Sequence, residues 1–310
     1  MSTNKPPFAT IRQMLLAGRA IPFLGSGASL PSDHDEVAPL ELASLRPPSA
    51  GQLTRYLACV GDIAPDDATD LPRTAQHYDT LLGLGSLREQ LHQVFNQPFA
   101  PGRLHRFLAS IPALPLIVTT NYDDLIERAF RDASRPYHLV TYNNDTEMVR
   151  IWWHGAADPE EQLPKHCDIA VGRGATTVIY KLHGTVDQSA VYRDNYVITE
   201  EDYVEFLSSL SVNQVIPVSL AEVFKTSHFL FLGYSLRDWN IRVILHEIWK
   251  EWRWQFQSWA IQKSASDLDR TYWERKRLSI FTMAINEFLD GLDGSIVQAV
   301  PGSEASDAGH

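Results

Sequence analysis

The sequence predicts an α/β fold: a mainly parallel sheet with helices on both faces and a block of helices inserted between its first two strands. Two observations predict it. The short runs AIPFL, LPLIVTT, TVIYKL, HFLFL, SWAIQ and LSIFTM are nearly continuous in apolar character, as strands covered on both faces must be. Segments with apolar residues at helical spacing separate most of them, and that alternation marks crossover connections between parallel strands. With 310 residues and 44% hydrophobic content, the chain can bury one large core, or one α/β domain carrying a smaller insertion.

In chain order, the spacing predicts a helix from about Phe8 to Gly18, closed by the glycine, and then the strand AIPFL. The strand runs into the glycine-rich turn GSGAS. A proline-rich loop follows, Pro31 to Pro48, and then helical patterns near Gln52 to Val60, Pro72 to Leu82, Leu87 to Phe95 and Leu104 to Ile111. These helices form one uninterrupted block, read as a helical subdomain or cover at about residues 50–111. The second strand ends at Thr120 and passes into NYDDLIERAF, where Leu125, Ile126 and Phe130 have helical spacing. A third strand spans about Tyr137 to Tyr142. Residues 143–175 carry little pattern and many Asn, Asp, Gly and Trp residues, and are expected to be a variable insertion. The remaining strands are TVIYKL before His183, HFLFL before Gly233, Ser258 to Gln262, and Leu278 to Met283. The tail PGSEASDAGH reads as disordered, and neither a repeat nor a low-complexity tract is visible.

Composition narrows the function. Lys and Arg total 27 against 38 Asp and Glu, a formal net charge of -11 that argues against non-specific binding to a nucleic-acid backbone while leaving room for a local basic groove. Cys59 and Cys167 are the only cysteines, so neither a disulfide framework nor a cysteine-rich zinc site is expected, and no metal is assigned. No apolar run approaches bilayer length and MSTNKPPFAT lacks an apolar signal core, so the expected location is cytoplasmic, away from membranes.

Four strand ends carry polar clusters: GSGAS, TTNYDD, HGTVD and GYSLRDWN. Parallel sheets bind ligands outside the carboxyl ends of their strands, so one cleft can gather all four. Gly25 and Gly27 allow a sharp bend and a close approach, and the small residues after them can open a helix whose N–H groups attract phosphate. The turn lacks the third glycine of the usual dinucleotide fingerprint, and by itself an ordinary turn explains it equally well.

Taken together, these segments resemble the sirtuin-like superfamily, proteins of the silent information regulator fold that bind NAD in a Rossmann-like domain. FLGSGAS is similar to the glycine-rich loop, TTNYDD to the Thr-Gln-Asn-Ile-Asp segment, LHG to the His-Gly pair, and LGYS to the later phosphate and ribose loop. The combination of Asn-Tyr-Asp, Lys-Leu-His-Gly and Gly-Tyr-Ser resembles the bacterial anti-phage defence branch more closely. The resemblance spans about Ala20 to Ile244. The chain departs from the protein deacylases in lacking two cysteine pairs for a zinc ribbon, the Gly-Ile-Pro-Asp-Phe-Arg continuation, and the Gln at Thr120.

The resemblance implies an NAD glycohydrolase that releases nicotinamide and ADP-ribose and depletes NAD during infection. Nicotinamide leaves as a neutral pyridine and needs no proton, so the site must supply geometry, electrostatic support for an oxocarbenium ion and an activated water. His183 is the candidate general base, with an ordinary pKa near ~6.5 that leaves much of it neutral. Asn121 is expected to orient the water and hold the nicotinamide ribose, and the family pattern implies that Asp123 accepts a hydrogen bond from the nicotinamide amide. Gly25, Ser26, Gly27, Ala28 and Ser29 are expected at the pyrophosphate, Thr120 beside them, and Gly233, Ser235 and Asp238 at the adenosine half.

Each candidate has a plainer role. A strand-end histidine is often a hydrogen-bonded core residue, and Asn121 and Asp123 precede a helix they could simply cap. Capping is the favoured role for Asp238 and Asn240. His154, His166 and Cys167 lie in the irregular stretch with no paired base or ligand set, although Cys167 stays open as a nucleophile. Trp249, Trp252, Phe256 and Trp259 recur at helical spacing and read as a core or subunit-facing stripe, and Tyr203, Phe206 and Leu207 as packing residues. Deacylation, ADP-ribosyl transfer and a non-catalytic NAD or ADP-ribose-binding module remain alternatives. An unrestrained NAD hydrolase would kill its host, so a homo-oligomer, or a partner such as a hexameric ATPase or an Argonaute-like protein, is expected to regulate it.

Overall fold

The computed structural model describes residues 5–30, 46–112, 114–172, 174–211, 215–236, 242–243, 245–246 and 256–294. Asp238, Asn240, Trp249, Trp252, most of the proline-rich loop and the tail lie outside the described residues.

Helix α1 (Phe8–Leu16) buries Ile11 and Leu15, four residues apart on one face, and Gly18 ends the turn that follows at φ +67°, where a side chain would be strained. Strand β1 (Ala20–Leu24) is buried at every position because both faces are covered. Its alternate residues feed two cores: Ile21 and Phe23 on one face, Ala20 and Leu24 on the other. The same alternation recurs in β2 (Leu116–Thr119), where Leu116 and Val118 oppose Ile117, and in β6 (Thr177–Lys181), where Val178 and Tyr180 oppose Ile179. Strand β9 (His228–Leu232) likewise divides Phe229 and Phe231 from Leu230 and Leu232.

Among the described residues the sheet has nine strands in the order β11-β10-β9-β1-β2-β6-β3-β4-β5, with β3 (Tyr137–Asn143), β10 (Ser258–Gln262) and β11 (Leu278–Thr282) continuing the parallel set. Strand β1 pairs in parallel with β2 on one side and β9 on the other. The chain therefore builds outward from β1 in one direction and later returns to build in the other. That reversal opens a crevice at the carboxyl ends of β1 and β9.

The stretch without a sequence pattern extends the sheet: β4 (Met148–Trp152) and β5 (Glu160–Gln162) are antiparallel to their neighbours. β5 reads EEQ and lies at the sheet edge, where charge blocks further pairing, so it shows no hydrophobic signal. Trp259 sits in β10, buried and stacked on His228 at 5.2 Å, rather than on a helical stripe.

Between β1 and β2, helix α2 (Ala50–Val60) starts from a capping box of Ser49 and Gln52, and α3 (Leu71–Leu82) from Asp70 with a proline in its first turn. With α4 (Leu84–Phe95) they share a separate core of Leu53, Leu57, Tyr78, Leu87 and Leu91, which rests on Tyr122, Tyr196 and Ile198. Helix α5 (Arg103–Ser110) instead places Leu104 and Leu108 in the sheet core with α1, α6 (Leu125–Asp132) and the last helix. After β6, the short hairpin of β7 (Gly184–Thr185) and β8 (Asn195–Tyr196) leads to α7 (Glu200–Ser211) and α8 (Val218–Lys225). Helices α9 (Asp267–Glu274) and α10 (Ile285–Gly294) follow β10 and β11. Among the described residues no helix is long and apolar enough to cross a membrane.

Candidate active site

The crevice at the switch between β1 and β9 is a cleft of about 970 Å³, within the usual range for a small-molecule site. Ser26, Gly27, Ala28 and Ser29 line one wall, Gly233, Tyr234 and Ser235 the next, and the ends of β10 and β11 a third. The first turns of α2 and α5 close it, and Arg46, Arg103 and Lys263 are among its lining residues.

Glycine is required here for a reason the sequence did not show. The β1 and β9 loops pack against each other: Gly27 N–H donates to the Gly233 carbonyl at 3.1 Å, and a Cβ on Gly233, whose φ is +74°, would fall 2.1 Å from the Ala28 nitrogen. The glycines thus allow two loops to touch, and the cleft lies along that seam. Only a three-residue 3₁₀ turn, Ser26–Ala28, follows β1 among the described residues. Its neighbouring N–H groups are committed internally, Gly25 to Leu232, Ala28 to Gly25 and Ser29 to Ser26.

A second cluster sits at the ends of β2 and β6. Thr119 Oγ1 donates to the Leu24 carbonyl at 3.0 Å and accepts the Asn121 N–H at 3.0 Å, which turns the chain toward β1. The Asn121 side-chain amide donates to the Gly25 carbonyl and to Ser29 Oγ, both at 3.1 Å. Ser29 Oγ in turn donates to Asp123 Oδ2 at 3.0 Å. Thr120 and Tyr234 share a hydroxyl hydrogen bond of 2.7 Å. Ser29 and Tyr234 therefore each face the cleft and also touch the TTNYDD segment. Of the two capping alternatives, Asp123 does accept the Leu125 N–H at 3.2 Å, whereas the Asn121 amide reaches across to the β1 loop.

Burial sets the electrostatics. Asp123 is pushed up to about 6, first by desolvation, against the lowering influence of Lys181, the Leu125 N–H and Ser29. His183 is buried against the edges of Tyr203 and Phe206, with ring centroids 5.3 and 5.4 Å away, and burial pushes it down to about 3. It is a neutral imidazole at any working pH, and among the described residues its Nε2 has no hydrogen-bond partner. His183 and Asn121 follow adjacent parallel strands, and the Leu182 N–H donates to the Thr119 carbonyl at 2.9 Å, so both lie at one sheet edge.

Several neighbours of these residues lie outside the four motifs. Tyr203 and Phe206, read as packing residues, do pack, and they also wall in His183. Lys181, a lone charge ending an apolar strand, was the one visible signal of the buried network behind TTNYDD. Cys167 is no nucleophile: it is buried, and burial, helped by Asp168 and Glu160, pushes its thiol up to about 12. His154 lies in an exposed turn at φ +52°, donating its N–H to His138 Nδ1 at 3.0 Å.

A doubly wound sheet with touching glycine loops at its switch point defines a Rossmann-like class of α/β protein. Residues 115–281, more than half of the chain, match the SIR2-like domain, and the chain belongs to that family. It is similar to the NAD(+) hydrolase ThsA of Enterococcus faecium, 30% identical over 186 residues, which cover 58% of this chain and 32% of the relative. The NAD(+) hydrolase ThsA of Acinetobacter baumannii (strain 532279) is 28% identical over 201 residues, covering 64% and 35%. The chain spans about a third of the length of the curated relatives it matches.

Proposed function

We propose that the protein is an NAD glycohydrolase, with the dinucleotide in the switch-point cleft and its nicotinamide ribose directed past Ser29 toward Asn121, Asp123 and His183. The observation that carries this reading is the hydrogen-bonded chain Asn121–Ser29–Asp123, which ties the TTNYDD segment to one wall of the ligand-sized cleft, with the buried His183 imidazole at the end of the adjacent parallel strand. The similarity to proteins named NAD(+) hydrolase supports it.

In this reading the ribose–nicotinamide bond breaks, its electron pair stays on the pyridine nitrogen, and water adds to the sugar carbon. His183 accepts the proton of that water through Nε2; burial makes it a weaker base than an ordinary imidazole, so the transfer requires a water already made acidic by the oxocarbenium ion. Asn121 orients water and ribose hydroxyls, and ionised Asp123 accepts the carboxamide N–H. Gly25, Ser26, Gly27, Ala28 and Ser29 with Thr120 border the pyrophosphate, and Gly233 and Ser235 the adenosine half. The biological setting we infer is NAD depletion in anti-phage defence, restrained by self-association or by a regulatory protein partner.

Free nicotinamide released from NAD by the purified chain, with and without proteins encoded beside it, tests the reading. His183→Ala is expected to lower turnover by about 10²–10⁴-fold, the usual range for a lost general base. Absence of nicotinamide under every condition, or tight NAD binding with no turnover, would count against hydrolysis and favour a binding module.

A further inference from the structure

Lys181 ends β6 with core residues on either side, Tyr180 and Leu182, and is itself fully buried. A buried ammonium is unfavourable unless acceptors replace its water. Its Nζ donates to the Asp123 carbonyl at 2.6 Å, to Thr185 Oγ1 at 2.8 Å and to the Tyr122 carbonyl at 3.3 Å, and forms an ion pair with Glu127 Oε1 at 2.7 Å. These acceptors come from the loop that presents Asn121 and Asp123, from the strand just past His183, and from α6. One side chain therefore ties together the two segments on which the candidate reaction depends. The Val186 N–H, donating to the same Tyr122 carbonyl at 3.2 Å, completes the seam.

The pair is poorly arranged for stability alone. Glu127 is buried, and among the described residues its Oε2 finds no hydrogen-bond partner. Apolar residues of similar volume often replace a buried ion pair at no loss of stability, so a pair that leaves one carboxylate oxygen bare is better explained by what it holds in place.

We propose that Lys181 is a positioning residue: its ammonium fixes the spacing between the loop carrying Asn121 and Asp123 and the turn carrying His183, with Glu127 as its counter-charge. The catalytic consequence rests on the NAD-hydrolysis reading; the geometric claim does not.

The test compares wild type with Lys181→Met and with the double variant Lys181→Met/Glu127→Leu. The single variant strands a buried carboxylate and is expected to lose much of its stability. The double variant removes both charges and is expected to melt near wild type, with kcat for nicotinamide release lower by about 100-fold and KM for NAD within about threefold, because the cleft walls belong to other loops. Hydrogen exchange needs no turnover: peptides covering 119–125 and 182–187 are expected to exchange faster in the double variant, with the β1 and β9 loops unchanged. Wild-type kcat together with wild-type exchange would overturn the proposal. So would faster exchange throughout the chain, a loss carried by KM, or failure of the double variant to fold. A wild type that releases no nicotinamide would sink the functional reading alone, and the exchange pattern would then decide the role of Lys181.

Discussion

The two halves of the candidate site are built from different materials. The cleft at β1 and β9 is shaped mainly by backbone, with small residues, two loops in contact through glycines and helix first turns, although Arg46, Arg103 and Lys263 also line it. The cluster at β2 and β6 is made by side chains in a dry setting, where Asp123 and His183 are each moved far from their ordinary pKa. Backbone geometry suits holding a ligand of fixed shape, whereas displaced pKa values suit chemistry. Ser29, the Thr120–Tyr234 pair and the Asn121 amide on the Gly25 carbonyl span the two. Damage to the halves should therefore produce different kinds of failure.

Gly233→Ala is the most severe test of the backbone half. Its Cβ would collide with the β1 loop at 2.1 Å in a left-handed conformation, a combined cost of about 2–6 kcal/mol. A melting temperature lower by on the order of 10 °C is expected, with weakened NAD binding by calorimetry. An unchanged melting curve would show that the loops need not touch.

For the side-chain half, the pH dependence of nicotinamide release is diagnostic. His183, near 3, stays neutral across the assay range, so the acid limb of kcat/KM belongs to Asp123, near 6. Because the ionised carboxylate is the competent acceptor, activity should rise about tenfold per unit as pH approaches 6 from below, then level off. Asp123→Asn should abolish that limb. Stability runs the opposite way for this group: its pKa is raised above 3.8, so its contribution is complete below 3.8 and is lost as pH rises through about 6. A limb that persists in Asp123→Asn would assign it elsewhere.

The smallest effect is expected at the bridge. Ser29→Ala removes one donor to Asp123 and one acceptor of Asn121, worth about 1 kcal/mol and hence about 3–10-fold in kcat/KM. That hydrogen bond also lowers the Asp123 pKa, so the acid limb should move to higher pH by somewhat less than about one unit. A limb that moves down, or does not move, would separate Ser29 from the cluster.

Much of the fold was legible because buried parallel strands cannot hide: AIPFL, TVIYKL, HFLFL and SWAIQ are each apolar enough to fill two faces, and the observed strands match those runs closely. β4 and β5 were not legible, since an edge strand carries polar residues and mimics a loop. Local motifs likewise located Asn121, Asp123 and His183, but their partners were invisible. Ser29 bonds a residue 94 positions away, and Lys181 reaches Asp123 across 58.

The sequence by itself determined the α/β class, the strand ends that matter and the residue types found there, because hydrophobic period and turn chemistry are local properties. Only the tertiary structure decided that Gly27 and Gly233 serve each other, that His183 is sealed beneath Tyr203 and Phe206, and that a buried lysine joins two loops. Desolvation and loop-to-loop contact depend on which distant segments pack together, and no short stretch of chain encodes that.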